Sequence, residues 1–183
     1  MNNDLPITLL TTKPIVMKQM LIILALCPFW TFGQPTLPMK DGKVFYQAID
    51  TVDANKNEIY NRSKIWFVNT FNKARAVLQL DDKDSGIIMG KGATKFDAGN
   101  FVVGPIIMYL HYTININIKD GKSRIQVYDI YAANEYDRVT YTPEELLKYA
   151  KMNKGKLRRI NEDVISTIAS YRKAIVSKAA SDF

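Results

Sequence analysis

Residues 106–132 read IIMYLHYTININIKDGKSRIQVYDIYA. Ile106, Met108, Leu110, Tyr112, Ile114, Ile116 and Ile118 stand at every second position, with Tyr109, His111, Thr113, Asn115 and Asn117 between them. Successive side chains of a strand point to opposite faces, so the alternation describes a strand with one buried and one wet face. Asp120-Gly121 follows, the residue pair of a two-residue type I′ turn. Lys122 to Ala132 then form the return strand. A two-residue loop sets Lys119 opposite Lys122. Ile116 meets Ile125 and Ile114 meets Val127 on the apolar face. Asn117 meets Arg124, Asn115 meets Gln126 and Thr113 meets Tyr128 on the other. Apolar residues pair with apolar and polar with polar, as a well-specified register requires. Asp129 falls opposite Tyr112 on the apolar side, and a bulge near residue 128 would repair that conflict.

Working outward, Lys43 to Val52 (KVFYQAIDTV) is rich in β-forming residues and reads as a first strand. Asn55-Lys56-Asn57-Glu58 has the spacing of a capping box, in which side chains satisfy the free amides of a helix's first turn. Ile59, Trp66, Phe67 and Phe71 form one stripe of the helix that follows. Ala76 to Leu80 and Gly86 to Gly92 read as two strands around the loop Asp81–Ser85. Downstream, Thr142-Pro143-Glu144-Glu145 is a second capping box, with Pro at the first helical position. Asn153 to Arg159 interrupts the pattern, and Asn161 opens a longer helix with the stripe Val164, Ile168, Tyr171 and Ile175.

The start of the chain has the pattern of a targeting segment. A short basic head at Met17-Lys18 precedes the apolar run Met20 to Cys27, and Gly33 stands before a plausible cut. The run is shorter than the roughly 20 residues that span a bilayer. Residues 1–33 are therefore expected to be a signal peptide with its true start at Met17, followed by a linker over 34–42. The expected location is the periplasm or cell envelope. Lipidation of Cys27 is the weaker reading, because Leu26 sits where a lipoprotein peptidase needs a small residue. Cys27 is the only cysteine of the 183 residues, so the exported chain would rest on its core alone, without disulfides. The composition, 47% apolar and 23% charged, is that of a globular domain. The net charge is +7, and losing residues 1–33 removes two lysines and one aspartate, leaving +6. That excess favours acidic partners only weakly.

Ile65-Trp66-Phe67-Val68-Asn69-Thr70-Phe71, the run Ala76 to Gly92 (AVLQLDDKDSGIIMGKG) and Ile116 to Arg124 (INIKDGKSR) together resemble an exported bacterial family of unknown function with a TBP-like fold. The resemblance covers about residues 43–133. It implies an α+β fold, a curved antiparallel sheet of about five strands with helices packed on one face, to which residues 142–183 add a C-terminal helical segment. It supplies no activity and no catalytic residues. The fold's name suggests DNA, but fold does not imply function.

No motif carries catalytic chemistry. Gly86 to Gly92 (GIIMGKG) has three residues between its first glycines where a phosphate loop needs four, and Gly92 replaces the Ser or Thr after Lys91. It reads instead as a strand with a glycine bulge. Asp53, Asn55 and Asn57 have the early spacing of a calcium loop, but Glu58 and Lys64 stand where that loop needs Gly and Glu. Asp81, Asp82 and Asp84 lack a closing carboxylate. His111, the only histidine, has no cysteine partner for a zinc site. No cofactor, metal or enzymatic activity is expected. Lys148, Lys151, Lys154, Lys156, Arg158 and Arg159 crowd a stretch without acids, and could touch an anionic membrane surface weakly. Specific nucleic-acid binding is not expected.

The leading expectation is a non-enzymatic envelope protein that binds an unknown ligand or protein partner. Its site would be the free polar face of the sheet, with Tyr109, His111, Thr113, Asn115, Arg124, Gln126 and Tyr128 as candidate residues. The alternative is a structural or assembly subunit that docks a partner through its C-terminal helices. Protein recovered from the envelope is expected to begin near Gln34. Intact mass decides this, and a species retaining residues 17–33, or one lipidated on Cys27, overturns the cut.

Overall fold

The structure is a computed structural model. It describes residues 37–71, 77–101, 104–134 and 140–177, so the targeting segment proposed for residues 1–33 lies outside the described residues. Gln34–Phe183 form one compact unit that contains every described element. The elements run β1 (Met39–Lys40), β2 (Lys43–Val44), β3 (Tyr46–Thr51), α1 (Lys56–Phe71), β4 (Val77–Asp82), β5 (Ile87–Phe101), β6 (Gly104–Lys119), β7 (Lys122–Asn134), β8 (Thr140–Tyr141), α2 (Pro143–Leu147) and α3 (Ala150–Val176).

β6 and β7 pair in the expected register. Lys119 faces Lys122, Ile116 faces Ile125, Ile114 faces Val127 and Thr113 faces Tyr128. The register then shifts, and beyond it His111 faces Tyr131. The extra residue lies at Asp129, whose φ of 51° is left-handed. The bulge turns the Asp129 carboxylate outward and gives its place in the core to buried Ile130. The turn at Asp120-Gly121 differs from the expected type I′, since Gly121 has φ 67° but Asp120 is not left-handed. The reason is docking. Asp120 Oδ1 accepts from Lys56 N at 2.8 Å. The turn also exchanges backbone bonds, from Val52 N to Gly121 O and from Gly121 N to Ala54 O. The hairpin tip therefore caps α1 and takes the conformation that contact requires.

Five strands form an open antiparallel sheet in the order β3-β7-β6-β5-β4, and β8 adds to the far end of β7. The strand expected over residues 86–92 extends to Phe101 and pairs with β6 along nearly its whole length. The expected glycine bulge there is displaced to the neighbouring strand: the β4–β5 register shifts between Leu78 and Leu80, opposite Gly90 and Met89. Gly92 has a packing role instead, because a Cβ there would meet the Phe71 ring at 2.8 Å.

Both expected capping boxes form. Glu58 N donates to Asn55 Oδ1 and Asn55 N to Glu58 Oε2, while Thr142 and Glu145 exchange the same pair of bonds. Ile59, Trp66, Phe67 and Phe71 of α1 are buried, as are Val164, Ile168, Tyr171 and Ile175 of α3. Both helices lie in one core with the alternating apolar residues of β6 and β7. The interruption expected over residues 153–159 does not occur, and α3 runs through it. Leu157 and Ile160 are buried in the same core. Their burial outweighs the poor helix propensity of Asn153 and Gly155.

Ile116→Ala is expected to cost about 2–5 kcal/mol, because it empties a fully buried position. Asn115→Ala on the opposite face should cost less than about 1 kcal/mol. Equal denaturation midpoints would contradict the face assignment. A Cβ at Gly155 meets nothing, so Gly155→Ala should raise stability by about 0.5–1 kcal/mol. A lowered melting temperature would mean that the glycine has a local role.

Candidate functional site

With α1 and α3 on one side of the sheet, the other side is built from cross-strand rows, since paired residues share a face. One row runs Asp82, Ile87, Asn117, Arg124 and Ile49. The next runs Leu80, Met89, Asn115, Gln126 and Gln47. Lys91, Thr113 and Tyr128 follow, then Ala93, His111 and Tyr131 beyond the bulge, then Lys95, Tyr109 and Ala133.

Side-chain amides link the second row to the first across three strands. Gln126 Nε2 donates to Gln47 Oε1 at 2.9 Å. Asn117 Nδ2 donates to Asn115 Oδ1 at 3.1 Å. A longer contact of 3.5 Å joins Asn115 Nδ2 to Gln126 Oε1. Each amide has two donors and two acceptor lone pairs, so the ladder leaves hydrogen-bonding capacity facing outward. Beside it, Phe45 stacks on Tyr128 with ring centroids 6.2 Å apart and planes at 23°. Lys40 Nζ sits 5.0 Å from the Phe45 ring centroid. These groups, with Asp129, border an open hollow of about 440 Å³.

Tyr128 explains the fate of one expected site residue. Its hydroxyl reaches Met89 Sδ on β5 at 3.6 Å. β6 lies between β7 and β5, so the Tyr128 side chain crosses β6. Thr113, expected to be wet, stands directly opposite Tyr128 and is buried; it is therefore not an exposed contact residue. Partial burial, with the Asp129 charge adding to it, raises the Tyr128 pKa above the usual phenol value.

The remaining candidates do not form one cluster. Asn115, Gln126 and Tyr128 line the hollow. Arg124 lies one row away and is exposed. His111 stacks on Tyr131 at 4.7 Å, with planes 3° apart, on the far side of the bulge. Tyr109 lies a further row out. At about 3.4 Å per residue, Tyr109 and the Asn117–Arg124 row are separated by roughly 27 Å, more than one small ligand spans. Phe45, Gln47, Ile87 and Met89 were not identified from the sequence. They reach this face through strand order, and the alternation of a single hairpin does not reveal its lateral neighbours.

A second hollow, of about 650 Å³, lies where β7 has neither β3 nor β8 beside it, between Lys43, Asp129, Tyr131, Thr140, Tyr141 and Glu144. Two of its three carboxylates already serve the fold. Glu144 Oε1 accepts from Val44 N at 2.5 Å, and Glu145 closes the α2 capping box. Among the described residues no group of three His, Cys, Asp or Glu is placed to hold a metal ion. Asp81 accepts from Lys64 and from Tyr60, and these bonds hold its carboxyl below the usual range. Asp82 is lowered likewise, first by the backbone of Ser85 in the β4–β5 turn.

Of the basic cluster, Lys156 Nζ lies over the Tyr141 ring at 5.1 Å and Arg158 pairs with Glu162 at 3.0 Å. Lys148, Lys151 and Lys154 are exposed.

An open antiparallel sheet with helices on one side and a free face on the other defines an α+β protein of TBP-like architecture. Residues 45–133 match the domain of unknown function DUF4468 with TBP-like fold. No curated protein matches the chain. Among solved structures, it is similar to a DUF4468 family protein from Bacteroides ovatus, at 15% identity and TM-score 0.59, over 80% of this chain and 94% of that one. It is also similar to a TBP-like protein from Parabacteroides distasonis, at 19% identity and TM-score 0.55, over 75% of this chain and 97% of that one. Both likenesses concern the fold, and both extend beyond the span of the family match.

Proposed function

We propose that the protein is a non-enzymatic, exported binding module that holds an uncharged, hydrogen-bonding ligand on the free face of its sheet. The observation that carries this reading is the amide ladder Asn117–Asn115–Gln126–Gln47 set beside the Tyr128–Phe45 stack. Amides recognise hydroxyls and peptide groups, and a flat aromatic pair adds contact area at small entropic cost. Ile87, Met89 and Leu80 in the same rows add apolar area, the mixture typical of recognition surfaces. A neutral glycan or an extended peptide has the matching chemistry. Docking through the C-terminal helices has less to support it. The Val164–Ile175 stripe lies in the domain's own core, leaving Ile165 and Val176 as the large exposed apolar residues of the C-terminal half of α3.

The test is an array of neutral glycans and peptides probed with the immobilised protein. Wild type should retain one chemical class. A Gln47→Ala/Gln126→Ala variant should lose about tenfold in affinity, from two or more hydrogen bonds, while its melting temperature stays within about 4 °C of wild type. Undiminished binding by the folded variant, or no retention by wild type, overturns the reading.

A further inference from the structure

We propose that the start of α3 is a second, separate docking surface, for an anionic lipid bilayer. Tyr149 is 67% and Met152 86% exposed, and Met152 N donates to Tyr149 O at 3.0 Å, so the two are neighbours on the first turn. No acidic residue occurs from Leu146 to Arg159. Lys148, Lys151 and Lys154 surround the pair and form no ion pair among the described residues. Lys156 and Arg158 are engaged with Tyr141 and Glu162, so the cations available for an outside partner are those nearest the apolar pair.

Helical spacing sets Lys151, Met152 and Gly155 on the side of α3 away from buried Leu157, Ile160 and Val164. A Cβ at Gly155 would meet nothing, so this stretch of helix can approach a flat surface closely. Basic side chains around protruding apolar ones are what an interfacial segment needs. Lysines draw the protein to anionic headgroups, and apolar tips enter the boundary beneath them. Either signal alone holds a protein only marginally, and the combination is stronger. Nucleic acid fits less well, because a phosphate backbone gives the Met152 side chain no apolar medium to enter. Among the described residues no helix is long and apolar enough to cross a membrane, so the contact is peripheral. It involves none of the sheet-face residues and stands or falls independently of them.

The experiment uses the chain from Gln34, the compact unit with its own core, so that the apolar run at residues 20–27 does not bind lipid itself. Co-sedimentation is measured with vesicles of phosphatidylcholine and phosphatidylglycerol, and with phosphatidylcholine alone. Wild type should bind the anionic vesicles, less so as salt rises. Tyr149→Ser/Met152→Ser, which leaves the charge unchanged, should lower the partition coefficient about tenfold. Lys148→Gln/Lys151→Gln/Lys154→Gln should abolish binding. All five positions are exposed, and thermal melts confirm that the variants fold. Three results overturn the proposal: equal binding to neutral vesicles or none to either, an unchanged partition of the Tyr149/Met152 variant, and retention on duplex DNA at a salt concentration that releases the vesicles.

Discussion

The Tyr171 side chain is where the structure closes. It is fully buried on α3, and its hydroxyl meets Ser63 of α1 and Ser123 of β7. A buried hydroxyl without partners would cost about 1–3 kcal/mol; here one oxygen is satisfied from two other elements at once. The ring beneath it packs edge-on against Trp66 at 4.9 Å, and Trp66 leads on to Phe71 and so to Tyr112 of β6. Trp66 and Tyr112 repeat the device, bonding to Ser170 and Thr167 of α3. Burial pushes the Tyr112 phenol up to about 12, so these hydroxyls stay neutral through the physiological range. Apolar area supplies most of the driving force. The Tyr171–Ser123 and Tyr112–Thr167 junctions fix which turn of α3 sits over which strand, since a helix shifted by one turn would strand these buried oxygens.

That arrangement decides which surface is free. α1 and α3 both need to bury an apolar stripe, and β6 and β7 offer an apolar face formed by alternation. Both helices pack on the same side, and the amide ladder is left on the other. The free face thus follows from core packing, independently of any ligand. Its composition departs from that of a merely solvated face. The two ladder rows carry one cation in Arg124 and one carboxylate in Asp82, with amides, Ile87, Ile49, Leu80 and Met89 occupying the positions where Lys and Glu are ordinary.

Much of this was legible in the sequence because it is local. The two-residue loop fixed the pairing of Ile116 with Ile125, and the conflict at Asp129 located the bulge. Asn55 with Glu58 and Thr142 with Glu145 announced their helix starts. What was not legible depends on partners distant in the chain. Asp120 leaves the I′ conformation because α1 needs its carboxylate. Thr113 is buried because Tyr128 leans across it. Residues 153–159 are helical because Leu157 and Ile160 have a sheet to pack on. In each case a tertiary contact overrode a sound local preference. The site was half visible for the same reason. Asn115, Gln126 and Tyr128 followed from the hairpin, whereas Gln47, Phe45 and Met89 required the strand order.

The bulge at Asp129 connects these levels. Without it, strict alternation would place Asp129 in the core opposite Tyr112 and push Ile130 into water. The chain instead takes a left-handed residue other than glycine, a conformation disfavoured by about 1–2 kcal/mol. The inserted residue restores Ile130 to the core. It also keeps His111 and Tyr131 on the face that carries Thr113 and Tyr128. It falls in the stretch of β7 between the partners of β3 and those of β8. The sheet edge is therefore interrupted at the residue where the pattern breaks, and Lys43 and Asp129 line the hollows on both sides of it. A change that relaxed the strain, Asp129→Gly, would preserve the bulge while removing the one carboxylate shared by both hollows. Strain and charge thus meet at this position, together with the demands of the core and the shape of the free face.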